Sequence, residues 1–305
     1  MSAKRIDICV CTFRRPQLAD TLTSLAALNT PDGYTLGILV ADNDEEPSAR
    51  LLVTRMAESL GLHLRYVHCP ARNISLARNA CLDASSADFV AFIDDDETAT
   101  SDWIVHLVAA AEEAEIVLGP VRAHYAPDAP RWIKQGDFHS TLPVWVRGEI
   151  RTGYTCNVLI RRSAKSVAGI RFSLSRGQTG GEDTEFFDRV FARGRRIAYA
   201  RQALVEEIVP PGRSSFAWLA RRRFRMGQTH GRLLREKRRG AGVLAEIGLA
   251  GAKLTYCIAG TAVTVFRPVA RNRNLLRGIM HAGVIGGLTG VEERRHYGVA
   301  NAETV

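Results

Sequence analysis

Apolar and polar positions alternate with two different periods along the first hundred residues, and the period switches at regular intervals. Residues 6–12 ("IDICVCT") form a short apolar, β-rich run, after which Leu18, Leu22 and Leu25 in "PQLADTLTSLAAL" recur at helical spacing, with Pro16 at the start. The same pair returns as "TLGILVADND" and "SARLLVTRMAESLG", a helix pattern that closes on Gly61. "LRYVHCP" predicts a third strand, "SLARNACLDAS" a third helix and "ADFVAFIDDDE" a fourth strand. A helix through "SDWIVHLVAAAEE" follows, with Ser101 as its expected N-cap. Strands alternating with helices build an open, mostly parallel α/β sheet. Farther along, "AEIVLGPVRAHYAP" reads as a strand leading into a loop with Trp132 and Trp145, and residues 152–163 read as another strand. In "GQTGGEDTEFFDRVFARG", glycines open a helix whose Phe186, Phe187, Val190 and Phe191 face the core.

In such sheets ligands bind beyond the carboxyl ends of the strands. The first, second and fourth strands end in "TFRR", "DND" and "DDDE", which would converge on one crevice. Carboxylates crowded there raise one another's pKa unless a cation neutralises them. Asp94 and Asp96, two apart, face the same way at a strand end and suit Mg²⁺ or Mn²⁺ whose remaining sites take diphosphate oxygens. The same acids also suit the dipole of the following helix. Glu182 and Asp183 open the later helix, where a carboxylate is either a cap or a general base. Trp132 and Trp145 either stack on a sugar or pin their loop, and His124 and His230 serve a phosphate or metal, or are structural.

With 305 residues, 46% of them hydrophobic, the chain can bury one large core or one core plus an appendage. Lys and Arg outnumber Asp and Glu by 41 to 32, a net charge of +9, which points to an anionic partner or surface. Much of that excess lies in residues 213–239, where ten basic residues accompany one acid, Glu236. Residues 241–266 are then apolar apart from Glu246 and Lys253, and Arg267, Arg271, Arg273 and Arg277 follow. Residues 254–266 alone are too short for a hydrocarbon core of about 30 Å. Extension back to 241 reaches spanning length but carries two charges near its middle. An apolar helix with basic flanks fits an interfacial segment on anionic lipid, so monotopic attachment at the cytoplasmic face of the inner membrane is expected over a spanning helix. The six cysteines are scattered through apolar runs without a CxxC pair, as free thiols in a reducing cytosol would be, and no export signal is expected.

Rival classes fit less well. A nucleic-acid patch would interleave more aromatics with its cations, so no nucleic acid is expected. A dehalogenase-like phosphohydrolase would carry its nucleophile where "CTFRR" stands, and a nucleotidyltransferase would carry a Gly-rich, Lys-bearing loop there. A non-catalytic nucleotide-sugar-binding protein, or a basic protein associated with membrane or nucleic acid, remains the alternative.

"ICVCTFRRP", "LVADND", "NISLARNACLD", "FVAFIDDDE", "GYTCNVLIRRS" and "GGEDTEFFDRV" occur in an order and spacing that, over residues 4–230, resembles the inverting family 2 glycosyltransferases of the GT-A fold. The subgroup most resembled is the bacterial exopolysaccharide glucosyltransferases of the succinoglycan type. The resemblance implies a Rossmann-like catalytic domain over residues 1–212, with a nucleotide-sugar half near 1–100 and an acceptor half near 101–212. Residues 213–305 form a basic and apolar helical region that associates with membrane. It further implies a UDP-sugar donor, glucose by subgroup, a divalent metal, and a saccharide acceptor carried on a polyprenyl diphosphate. By position, Cys11, Thr12 and Phe13 match the loop that holds the nucleobase, Phe13 replacing a tyrosine that stacks on uracil and Arg14 replacing a common asparagine. Asp42 matches the base-binding acid and Arg78 the arginine beside the donor phosphates. Asp94 and Asp96 match the metal ligands, with Asp95 nearer the ribose or sugar, and Asp183 matches the catalytic base. Glu182, Asn157 and Trp145 match acceptor-side or sugar-side positions more loosely. The Gln-x-x-Arg-Trp of processive enzymes is absent, "RRRFRMGQTHG" standing in that region, which favours single addition.

Overall fold

The predicted alternation is realised as β1 (Lys4–Thr12), α1 (Leu18–Ala26), β2 (Tyr34–Asp42), α2 (Arg50–Leu60), β3 (Leu64–His68), α3 (Ile74–Ala84) and β4 (Phe89–Asp94). The computed structural model describes residues 3–194, 196–293 and 297. Gly61 ends α2 in the left-handed region at φ 62°, as its position at the end of the helix pattern predicts. Beyond β4 come β5 (Glu97–Ala99) and α4 (Trp103–Ala110). The residue preceding α4 is Asp102 rather than the expected Ser101, and no side chain caps the helix; the Asp102 carboxylate instead accepts from Asn29 Nδ2 at 2.7 Å. The single strand read in "AEIVLGPVRAHYAP" is two, β6 (Ile116–Leu118) and β7 (Val121–Tyr125). Pro120 lies between them and has no N–H with which to continue a ladder. The chain continues through α5 (Arg131–Gly136), β8 (Trp145–Val146), β9 (Glu149–Ile150), β10 (Asn157–Arg161), α6 (Glu182–Ala192), β11 (Ile197–Tyr199) and β12 (Val205–Val209).

Two units emerge from the contacts: one comprises the chain through His124, Ser140–Ile208 and Tyr297, the other Tyr125–His139 and the helices after Val209. In the first, a seven-stranded sheet runs in the order β11-β6-β10-β4-β1-β2-β3, and only β10 opposes its neighbours. Alternate residues of β1 enter opposite layers. Ile6, Ile8 and Val10 pack with Leu18, Leu22, Trp103 and Ile104, while Cys9 packs with Ala77, Cys81, Phe186 and Phe187. Helices therefore cover both faces, which is why the central strands read as continuous apolar runs. All six cysteines are free thiols.

The second unit is built on α7 (Phe216–Lys237), α8 (Ala241–Val263) and α9 (Pro268–Thr289). Ser215 caps α7, its hydroxyl accepting from Trp218 N at 3.2 Å. A Cβ on Gly227 would strike the Met280 carbonyl, and one on Gly231 the Val284 carbonyl; Gly283 and Gly287 stand likewise against Phe224 and Gln228. The α7 and α9 main chains thus touch in parallel, four glycines making the approach possible. Ile133, Phe138, Trp218, Leu219 and Leu276 form an apolar cluster here. The third helix, α8, lies along α9, Gly278 meeting Leu254 and Cys257. Its outer face is bare: Tyr256 and Ile258 are exposed, Val263 is 85% exposed, and Phe266 just beyond is 95% exposed. By length and composition α8 could cross a membrane, and only 11% of its apolar stretch is buried.

Candidate active site

Parallel register brings the strand ends to one edge. Thr12 lies opposite Asp42 on β2, and Cys11 lies opposite Asp94 on β4. Residues tens of positions apart in sequence therefore face a common crevice.

On the β1–β2 side, Arg14 adopts φ 53° and its Nε donates to Asp44 Oδ2 at 2.7 Å, with the guanidinium 5.5 Å from the Phe13 ring centroid. That bond holds the Asp44 carboxyl below its usual range. Thr12 is fully buried beside Asp95, and Cys11 turns its thiol toward Cys81 at 4.0 Å. The Asp42 side chain is engaged within its own loop. Its fully buried carboxylate accepts from Asp44 N at 3.1 Å, Ala49 N at 2.9 Å and Tyr66 Oη at 2.7 Å, which makes it the anchor of the β2–α2 loop. The next residue, Asn43, is buried with no hydrogen bond of normal length on either amide atom. Sequence reading missed it, although it sits inside the polar "DND" terminus. It also missed Tyr297, whose ring centroid lies 5.7 Å from that of Phe13 at 46°. The Tyr297 N–H donates to Gln178 O at 3.2 Å, and its phenol, pushed up by burial, faces Asn43. No local pattern marks it, because the contact spans most of the chain.

At the centre, Arg78 on α3 is 7% exposed and pairs with Glu182. Burial opposes its charge, but Glu182, Asp94 and Asp183 together hold it protonated. Arg78 thus places one guanidinium nitrogen on Glu182, with Asp94 and Asp183 close by. Burial also pushes the Asp94 carboxyl up to about 6, with Asp96 and Glu207 adding to the rise and Arg78 opposing it. Asp95 is raised for the same reason, with Asp96 adding and Thr12 and Arg15 opposing. Asp94, Glu97 and Cys156 bring one ligand atom each within 4.8 Å of one another. Burial raises the Glu97 carboxyl and the Cys156 thiol well above their ordinary values, however, and Glu97 accepts from Asp94 N at 3.0 Å. Asp96 lies 3.8 Å from Arg15 Nη1. A desolvated, under-neutralised Asp94 with Asp96 beside it is a hard-oxygen donor set and fits a divalent cation.

Gly180 and Gly181, at φ 91° and 85°, turn the chain into α6. Asp183 Oδ1 accepts from Thr184 N at 2.6 Å and from Thr184 Oγ1 at 3.3 Å, while no hydrogen bond among the described residues engages its second oxygen. Burial and Glu182 raise its carboxyl, and Arg78 opposes them. Arg78 and Cys156 each feel both Asp94 and Asp183, so the two aspartates lie near the same pair of side chains.

Other expectations change. Asn157 is 0% exposed: its Oδ1 accepts from Trp103 Nε1 at 2.8 Å and its Nδ2 donates to Pro120 O and Ala203 O at 2.9 and 2.8 Å. An amide so engaged ties strands together and is not left for an acceptor. Glu182 is likewise turned inward to Arg78. Trp145 keeps an exposed indole, 57% accessible, on the β8–β9 hairpin. Trp132 pins its loop against Phe138 and Phe216. His124 pairs with Glu206 at 3.3 Å, and His230 lies near His281 in the second unit.

A family model described as "Glycosyl transferase family 2" matches residues 7–167. The chain is 57% identical, over 96% of its own length and 96% of the relative's, to the succinoglycan biosynthesis protein ExoM of Rhizobium meliloti (strain 1021). It is 28% identical to the glucosyl-dolichyl phosphate glucuronosyltransferase of Haloferax volcanii, over 73% of this chain and 75% of the other. Among solved structures, the mannosyltransferase PcManGT of Pyrobaculum calidifontis, in complex with GDP-Man and Mn²⁺, superposes with a TM-score of 0.64 at 18% identity, over 95% of this chain and 88% of that one. S. aureus TarS 1-349 in complex with UDP-GlcNAc gives a TM-score of 0.54 at 14% identity, over 92% of each chain. These structural likenesses establish the GT-A fold.

Proposed function

The chain belongs to glycosyltransferase family 2, and from that premise we propose that it moves a hexose, glucose by subgroup, from a UDP-sugar to a saccharide carried on a polyprenyl diphosphate. The observation that carries the reading is a shared neighbourhood: Asp94 and Asp183 lie near the same Arg78 and Cys156, and Asp183 keeps one oxygen free. Phe13 offers its ring, and Asn43 its amide, to the base. Asp94 and Asp96 would hold Mg²⁺ or Mn²⁺, which when bound supplies positive charge to the leaving diphosphate. Asp95 sits next to them for the ribose or sugar. Asp183 takes the proton of the attacking acceptor hydroxyl on its free oxygen. The new C–O bond forms at the anomeric carbon as the bond to the diphosphate breaks, its electrons going to phosphate oxygen. One displacement inverts the centre. A base raised by burial is matched to that proton better than an ordinary carboxylate.

Absence of the processive Gln-x-x-Arg-Trp supports single addition. Identity to the succinoglycan protein supports a role in exopolysaccharide synthesis, and the bare face of α8 with its basic flanks supports attachment to the cytoplasmic face of the inner membrane. Incubating membranes with a panel of labelled UDP-sugars, GDP-mannose included as a control, and Mg²⁺ tests the reading. Label from one UDP-sugar should enter the lipid fraction and stop doing so in excess chelator. Label found only in water-soluble products would refute the lipid acceptor, and activity surviving chelation would refute the metal.

A further inference from the structure

Among its described residues, the second unit carries cations that no carboxylate of its own pairs with. The helix α9 contains no acid, and the single acids of α7 and α8, Glu236 and Glu246, pair with Arg232 at 3.7 Å and Arg238 at 3.6 Å. Glu293 also goes to Arg232, at 2.9 Å. These pairs gather where α7 ends and α8 begins. At mid-height the situation reverses. Arg223 on α7, Lys253 on α8, and Arg277 and His281 on α9 make no ion pair or hydrogen bond among the described residues. Burial and then Arg222 and Arg277 lower the pKa of Arg223. Burial and then Lys253, Arg277 and His230 lower that of His281.

An apolar groove of about 180 Å³ opens at the same height between α8 and α9, lined chiefly by Leu254, Cys257, Ile258, Leu275, Ile279 and Ala282, with Gly278 at its floor. Three of the cations are sequence neighbours of lining residues: Lys253 of Leu254, Arg277 of Gly278, and His281 of Ala282. On a helix, adjacent residues sit about 100° apart, which sets these three side chains beside the groove's walls rather than in its lining, Lys253 and Arg277 exposed to solvent. Apolar groove and cations thus share one stretch of α8 and α9.

We propose that this groove binds the isoprenoid diphosphate end of the lipid that carries the acceptor saccharide, the chain lying in the trough and the diphosphate among Arg223, Lys253, Arg277 and His281. The proposal rests on the lipid-linked acceptor of the preceding section. Charge decides between lipids. A bilayer phosphodiester brings one negative charge and would leave two of the three permanent cations unanswered, whereas a diphosphate diester brings two.

The test uses the full chain in detergent micelles with radiolabelled undecaprenyl-diphosphoryl glucose, a diphosphate diester. Phosphatidylglycerol and inorganic diphosphate serve as competitors. The lipid diphosphate should be retained at least tenfold more tightly than either competitor. Two variants, the double change Arg223→Gln with Arg277→Gln and the groove-filling Ala282→Trp, should each weaken retention about tenfold or more. Slow hydrolysis of UDP-glucose, which reports on the first unit, should stay unchanged in both and so show that they are folded. Equal displacement by phosphatidylglycerol or by inorganic diphosphate would overturn the proposal, as would undiminished retention by both variants. Wild-type hydrolysis, read in the same samples, tests the transfer reading separately, so the two can fail apart.

Discussion

The two units hold opposite kinds of electrostatic imbalance. At the sheet edge, Asp94, Asp95, Glu97 and Asp183 are crowded and desolvated, with Arg78 and Arg15 close by but too few to neutralise them. In the helical unit, Arg223 lies near Arg277, and His281 near Lys253 and Arg277, with no acid among the described residues paired to them. Folding alone favours neither arrangement, because like charges held close repel and the desolvated acids also lose hydration. The contrast teaches that each cluster leaves charge for a partner from solution to answer, a cation on the acidic side and an anion on the basic side; a metal with its nucleotide and a lipid diphosphate are the partners proposed above.

The largest expected effect falls on the acidic side. Asp183→Asn should lower kcat by about 10²–10⁴-fold, with melting temperature unchanged or raised, read by steady-state kinetics and thermal melts; a stable variant of normal rate would remove the base from the crevice. Next, Arg78→Met strands Glu182 in the interior and should cost about 3–5 kcal/mol in denaturant unfolding, most of it recovered on adding Glu182→Gln. No recovery would mean that Arg78 answers the whole acidic cluster rather than one partner.

Metal and pH sharpen the comparison further. With the Asp94 carboxyl raised to about 6 and Asp183 also raised, the folded state binds protons that the unfolded chain has released. Metal-free stability from these groups therefore falls as pH rises from the ordinary carboxylate range through about 6. Mn²⁺ should then raise the melting temperature by several degrees more at about pH 7.5 than at about pH 5. An equal shift at both would say that the acids are not the ligands. The smallest effect is expected at Tyr297. Its ring lies tilted against Phe13 with centroids 5.7 Å apart, so if it competes with a base for that ring, Tyr297→Ala should lower the donor KM about two- to fivefold with kcat unchanged. A raised KM would make the tyrosine part of the base site instead.

Much of the first unit was legible because its information is local. Period-two and period-3.6 runs placed β1 to α3, and acids at strand and helix ends marked Asp94 and Asp183. Asn157 misled because its partners, Trp103, Pro120 and Ala203, lie 54, 37 and 46 residues away and no local pattern shows such a tie. Asp42 and Asn43 are adjacent polar residues, both fully buried, and only the loop's own hydrogen bonds decide which one is engaged. The basic stretch was visible as composition. That its cations meet at one height depends on the pairing of α7 with α9 and α8, which composition does not contain.

That pairing has a mechanical side. Where Gly227 and Gly231 meet Gly283 and Gly287, no flexible layer separates the two helix axes. The pair behaves as a ruler without slack, and the separation of Arg223 from Arg277 is inherited from residues that carry no side chain at all. One methyl group at Gly283 would widen that separation without touching a charge.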